Sequence, residues 1–124
     1  MSLITEIYVD SSHKKWGIYI PSAIVCAYSG VYNKKVTTNE GEFMAMEYAL
    51  EKTREFMDVS ELIIIYSDSQ LVVKCLNGKW RVKPQHLIEC RDRCGVIFDT
   101  LKPKVRIHWI PREKNKEADA LTHE

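Results

Sequence analysis

The chain has 124 residues, 45% of them hydrophobic and 28% charged, and a formal net charge of +1 from 18 Lys plus Arg against 17 Asp plus Glu. This describes one soluble domain over residues 1–124, large enough to bury about two-thirds of its unfolded surface, and it excludes polyanion binding through overall charge, so nucleic acid must be met by local basic clusters. No apolar run approaches membrane-spanning length and no basic, apolar leader opens the chain, so a cytoplasmic protein with no membrane partner is expected.

Ile4 to Asp10 (ITEIYVD) reads as a strand ending in a carboxylate. Ser11 to Lys15 forms a polar, basic turn. Trp16 to Ile20 and Ile24 to Tyr32 are β-rich runs separated by Pro21 and Ser22, which suggests an antiparallel hairpin. Thr37, Thr38 and Asn39 then precede a helix-forming run to about Met57, an N-cap signal. Glu42 falls in the first turns of that helix, on the face of Ala45, Met46 and Ala49, where a lone acid calls for a partner or serves the helix dipole.

Leu62 to Tyr66 runs without a charge and stops at Ser67, Asp68, Ser69 and Gln70, so it reads as a buried parallel strand feeding a short helix, Ser69 to Asn77. Ligands of open α/β sheets bind at the carboxyl ends of such strands. Asp68 is therefore a candidate for chemistry, with helix capping as the competing role. Lys79, Trp80, Arg81, Val82 and Lys83 interleave an aromatic with cations, suited to phosphate contact. An exposed turn packed down by Trp80 is the alternative. Pro84 opens a helix to about Leu101, Val105 to Ile110 forms a final strand ended by Pro111, and Asn115 to His123 is a short helix carrying Asp119.

Cys26, Cys75, Cys90 and Cys94 form no CxxC pair. Cys90 and Cys94 share the apolar stripe of Leu87, Ile97, Phe98 and Leu101, so the four read as reduced core thiols. If the strands ending at Asp10 and Asp68 are parallel neighbours, their carboxylates meet at one sheet edge, with Glu42 and Asp119 on helices packed nearby. Four acids without cations repel one another and push at least one pKa up, whereas hard divalent ions suit such oxygen donors.

The blocks IYVDSS around Asp10, TTNEGEFMAMEYALE around Glu42, IIIYSDSQLVVKCLNGKW around Asp68 and WIPREKNKEADALT around Asp119 together resemble type 1 ribonuclease H of the short archaeal and bacterial type. The resemblance implies an α/β ribonuclease H-like fold: a five-stranded mixed sheet, three antiparallel strands then two parallel ones, with helices on both faces. It implies a metal-dependent endoribonuclease that hydrolyses the RNA strand of RNA/DNA hybrids, leaving 5′-phosphate and 3′-hydroxyl ends, with duplex RNA left open as a second substrate and a monomer expected. Asp10, Glu42, Asp68 and Asp119 take the catalytic, metal-ligand roles for two Mg²⁺ or Mn²⁺ ions. Ser11, Asn39 and Gln70 match substrate contacts near the minor groove, with Ser69 also facing substrate, and Lys79, Trp80 and Lys83 resemble the grip on the DNA strand. Among its departures from the family, the first loop is short, and Pro111 to Lys114 holds no histidine, with Arg112 as a phosphate contact in its place. On those departures rests the rival reading, a non-catalytic hybrid- or duplex-RNA-binding module on the same fold.

Overall fold

The computed structural model of the chain describes residues 3–123. Strands β1 (Ile4–Ser11), β2 (Lys15–Tyr19) and β3 (Ala27–Val31) are followed by α1 (Thr38–Lys52), β4 (Leu62–Ser67), α2 (Gln70–Leu76), α3 (Gln85–Leu101), β5 (Val105–Trp109) and α4 (Lys116–Ala120). Short 3₁₀ segments, Thr53–Phe56 and Arg112–Lys114, extend α1 and precede α4. The sheet order is β3-β2-β1-β4-β5. The β3-β2-β1 pairings are antiparallel, and β4 and β5 join parallel to β1. This is the three-plus-two mixed sheet implied by the resemblance.

The third strand is shorter than the β-rich composition suggests. Ile20 N donates to Cys26 O at 2.7 Å, so the chain between Pro21 and Cys26 closes as a turn and leaves Ile24 and Val25 in solvent. β-propensity describes side chains that suit a half-buried sheet, and these two residues have no sheet to meet.

The core lies on one face. Ile7, Val9, Ile18, Ile63 and Ile65 meet Phe43, Met46, Ala49 and Leu50 of α1, all essentially inaccessible. Burial of each larger side chain contributes about 1.5–3 kcal/mol. Helix α3 packs mainly on α1 and α2 through Leu87, Cys90, Cys94, Phe98 and Leu101. The cysteines are free thiols; Cys75, Cys90 and Cys94 are buried, and burial raises all three above the ordinary thiol pKa.

The opposite face carries little cover. Burial in β4 alternates, with Ile63, Ile65 and Ser67 enclosed and Leu62, Ile64 and Tyr66 only partly covered. The expectation of a strand buried on both sides fails because five-residue α4 sits over β1 and β2 alone. A cross-strand aromatic row fills the gap: Tyr8 stacks on Tyr66 at 4.9 Å between ring centroids, flanked by Tyr19 and His108 at 6.1 Å each. Among the described residues, no helix is long and apolar enough to cross a membrane.

Candidate active site

Local sequence decides where each acid stands. Val9 of β1 pairs with Ser67 of β4, so Asp10 and Asp68 come next on neighbouring parallel strands, at the same carboxyl end. Thr37 caps α1 through a reciprocal box with Glu40: Glu40 N donates to Thr37 Oγ1 at 3.2 Å and Thr37 N to Glu40 Oε1 at 3.0 Å. With the helix start fixed, Glu42 falls one turn in, facing the strand ends. Asp119 arrives from the other face, because α4 rests directly on Gly17, the partner of Asp10 in β2. A Cβ on Gly17 would lie 2.7 Å from Leu121 Cβ and 2.8 Å from the Ala118 carbonyl, so a larger residue there would lift the helix.

Asp10, Glu42 and Asp68 line one small cavity together with Val9, Ser11, Ala45 and Ser67. Asp119 hydrogen-bonds Asp10 and borders an adjoining cleft of about 430 Å³ with Ser11, His13, Thr38, Arg112 and His123. Burial first, then the charge of Asp68 and the bond to Asp119, push Asp10 up to about 8, so the two carboxyls hold a shared proton more tightly than free acids would. Asp119 is held below the usual carboxylate range by that bond and by His123, whose Nε2 lies 3.1 Å from Asp119 Oδ2. Burial also raises Glu42, against a hydrogen bond from Ser69, and raises Asp68, against a hydrogen bond from Asn115.

Capping of α2 belongs to Ser69, not Asp68. Ser69 Oγ accepts from Val72 N at 3.2 Å, and its hydroxyl is directed toward Glu42, holding that carboxyl down against burial. The competing capping role of Asp68 thus passes to Ser69, which is itself enclosed. Pro84 likewise stands at the N-cap of α3, one position before the helix.

Asn115 was invisible as a site residue. It is fully buried; its Nδ2 donates to the Val9 carbonyl at 2.9 Å and to Asp68 Oδ2 at 3.3 Å, while its Oδ1 has no hydrogen-bond partner among the described residues. Asp119 N donates to its carbonyl at 3.0 Å, so one residue ties β1, Asp68 and the helix of Asp119 together. The spacing of four residues to Asp119 was the signal available in the sequence.

The remaining expected site residues are surface groups. Asn39 lies exposed in the first turn of α1 and Gln70 exposed at the start of α2. Ser11 turns its hydroxyl inward, toward Tyr32. Arg112 Nη2 is 3.9 Å from Asp119 Oδ1, so it sits in the field of the acids. Lys79, Trp80 and Lys83 lie apart from them, on the exposed 79–83 stretch; Lys74 Nζ stands 4.8 Å from the centroid of the Trp80 ring, which borders a groove of about 590 Å³ between α2 and α3.

Among the described residues no three His, Cys, Asp or Glu side chains are grouped as a ready metal cage. The donor set nevertheless fits a hard divalent ion: every acid offers oxygen alone, and the raised pKa of Asp10, Glu42 and Asp68 is the response of crowded, partly dehydrated carboxylates that lack a counter-cation.

Comparison with known proteins points the same way. A family model described as Reverse transcriptase-like matches residues 20–124. The uncharacterized protein YpeP of Bacillus subtilis (strain 168) is 32% identical over 85 residues, 68% of this chain but 38% of that protein, so the chain spans well under half of this relative. RNase H1 from the halophilic archaeon Halobacterium salinarum NRC-1 superposes with a TM-score of 0.78 at 28% identity, covering 95% of this chain and 93% of that one. LC11-RNase H1, isolated from compost and solved in complex with an RNA/DNA hybrid, does so with a TM-score of 0.78 at 26% identity over 97% and 93%.

Proposed function

From the premise that the chain belongs to the reverse transcriptase-like family of ribonuclease H-fold proteins, we propose that it is a metal-dependent endoribonuclease that hydrolyses the RNA strand of RNA/DNA hybrids. The observation that carries this reading is the meeting of Asp10, Glu42 and Asp68 at one cavity, with Asp119 bonded to Asp10.

Asp10, Glu42, Asp68 and Asp119 would hold two Mg²⁺ or Mn²⁺ ions, which when bound supply an activated water and stabilise the leaving oxygen. The chain's own residues prepare that site. Asp10 gives up the proton it shares with Asp119 as the site takes its working form. Asn115 aims Asp68 through Nδ2, and Ser69 aims Glu42 through its hydroxyl. Asn39, Gln70 and the Ser11 backbone would meet the RNA strand near its minor groove, where the 2′-hydroxyl distinguishes it from DNA. Arg112 neutralises a phosphate beside Asp119, and Lys79, Trp80 and Lys83 carry the DNA strand. Water attack in line on the phosphodiester leaves 5′-phosphate and 3′-hydroxyl ends.

The test is a hybrid labelled on either strand, incubated with Mg²⁺ or Mn²⁺ and either wild-type protein or Asp68→Asn. Wild type is expected to cut the RNA strand alone. Asp68→Asn should lose at least about a hundredfold, since loss of a ligand exceeds loss of a group that merely orients one. Binding of hybrid without cleavage by wild type would favour the non-catalytic module.

A further inference from the structure

Tyr32 lies just beyond β3, at the far end of the hairpin from the sheet core, yet it is 7% exposed. Its backbone N–H donates to the Lys14 carbonyl at 2.9 Å, pinning it to the turn after β1. Its hydroxyl donates to the Gly41 carbonyl at 2.7 Å. With that proton committed, Tyr32 Oη accepts from Ser11 Oγ at 2.6 Å, and the Ser11 hydroxyl shares its single proton with the Ser12 carbonyl at 3.0 Å. The residue before Glu42 and the residue after Asp10 are thus joined through one oxygen.

The join is close. A Cβ on Gly41 would lie 2.7 Å from Ser11 Oγ and 3.2 Å from the Ser12 carbonyl, so the first turn of α1 approaches the end of β1 this nearly only because position 41 has no side chain. Contact at Gly41 sets only how near the two elements can come; it does not hold them at that distance. The hydroxyl does, with two hydrogen bonds of near-ideal length in a buried setting, where each is strongest and most directional.

We propose that the Tyr32 hydroxyl is a positioning residue that sets the separation of Asp10 and Glu42, and with it the affinity of the acid cluster for a divalent ion. This rests on the ribonuclease reading above. Groups that orient metal-binding side chains without touching the ion typically change affinity or activity by about ten- to a hundredfold when lost.

The experiment is calorimetric titration of Mn²⁺ into wild type, Tyr32→Phe and Ser11→Ala, with thermal midpoints and hybrid-cleavage kinetics on the same proteins. Tyr32→Phe keeps the buried ring and removes only the oxygen. It is expected to weaken Mn²⁺ binding and lower kcat by about tenfold, with KM for hybrid within about twofold, because substrate contacts are untouched. Ser11→Ala, which leaves the Tyr32–Gly41 bond in place, weakens Mn²⁺ less. Wild-type-like Mn²⁺ affinity in Tyr32→Phe, whatever its thermal midpoint, overturns the assignment and leaves the hydroxyl structural. Should that variant fail to fold, unchanged affinity in Ser11→Ala overturns it equally, and weakened affinity supports it. Wild type that neither binds Mn²⁺ nor cleaves hybrid overturns the ribonuclease reading and this assignment with it.

Discussion

The acid-bearing end of the β1–β4 seam and the basic 79–83 stretch face solvent in different ways. At the seam every carboxylate is partly dehydrated and already bonded: Asp10 to Asp119, Glu42 to Ser69, Asp68 to Asn115. Along 79–83, Lys79, Trp80, Arg81 and Lys83 are exposed, and the tryptophan ring faces the ammonium of Lys74. Preorganised groups in a dry setting govern rate, whereas exposed cations on mobile stems govern affinity and its salt dependence. The two regions therefore fail differently when broken.

The largest effect outside the acids belongs to Asn115. Asn115→Ala removes both bonds that fix Asp68 to β1, and kcat for hybrid cleavage is expected to fall by about ten- to a hundredfold with KM little changed. A change confined to KM would place Asn115 with the basic stretch instead. Lys79→Ala and Lys83→Ala come next. Each should raise KM several-fold, leave kcat intact and flatten the slope of log affinity against log salt by about one. A kcat loss in either would erase the contrast between the regions.

An effect outside activity is one of stability, read without metal. The folded Asp10 carboxyl keeps its proton up to about pH 8, whereas in the unfolded chain it releases it near 3.8. Between those values the folded state binds the extra proton, so stability is greatest below the window and falls as pH rises through it. Thermal midpoints measured from pH 4 to 8 should decline in the wild type and flatten in Asp10→Asn. A midpoint that instead rises with pH through Asp10 would mean the carboxyl is not crowded by its neighbours.

The sequence made the strand-end acids legible because an uncharged β-run that stops at a carboxylate has few meanings, and β1 and β4 each do so. The N-cap signal of Thr37, Thr38 and Asn39 likewise put Glu42 in the first turns of α1, although only the fold shows that Thr37 and Glu40 form the cap. What stayed hidden depended on burial that only the assembled chain creates. Asn115 is a polar residue in a lysine-rich stretch, KNKE, and reads as surface; its complete enclosure follows from α4 closing over Gly17. Tyr32 reads as the last residue of a strand, and nothing local announces that its hydroxyl reaches α1. The choice between capping and chemistry at Asp68 turned on Ser69, one residue on, whose hydroxyl serves both α2 and Glu42. The third strand reads too long because Ile24 and Val25 are apolar, yet they lie in a turn that the Ile20–Cys26 bond closes.

The central claim is that the four acids act as one unit. Single-turnover cleavage of a labelled hybrid by Asp10→Asn, Asp68→Asn and the double variant tests it most directly. Groups of one catalytic unit are not additive, so each single variant should lose at least about a hundredfold and the double variant should lose no more than the worse single. Losses that multiply in the double variant, or a single variant that cleaves at the wild-type rate, would contradict the account.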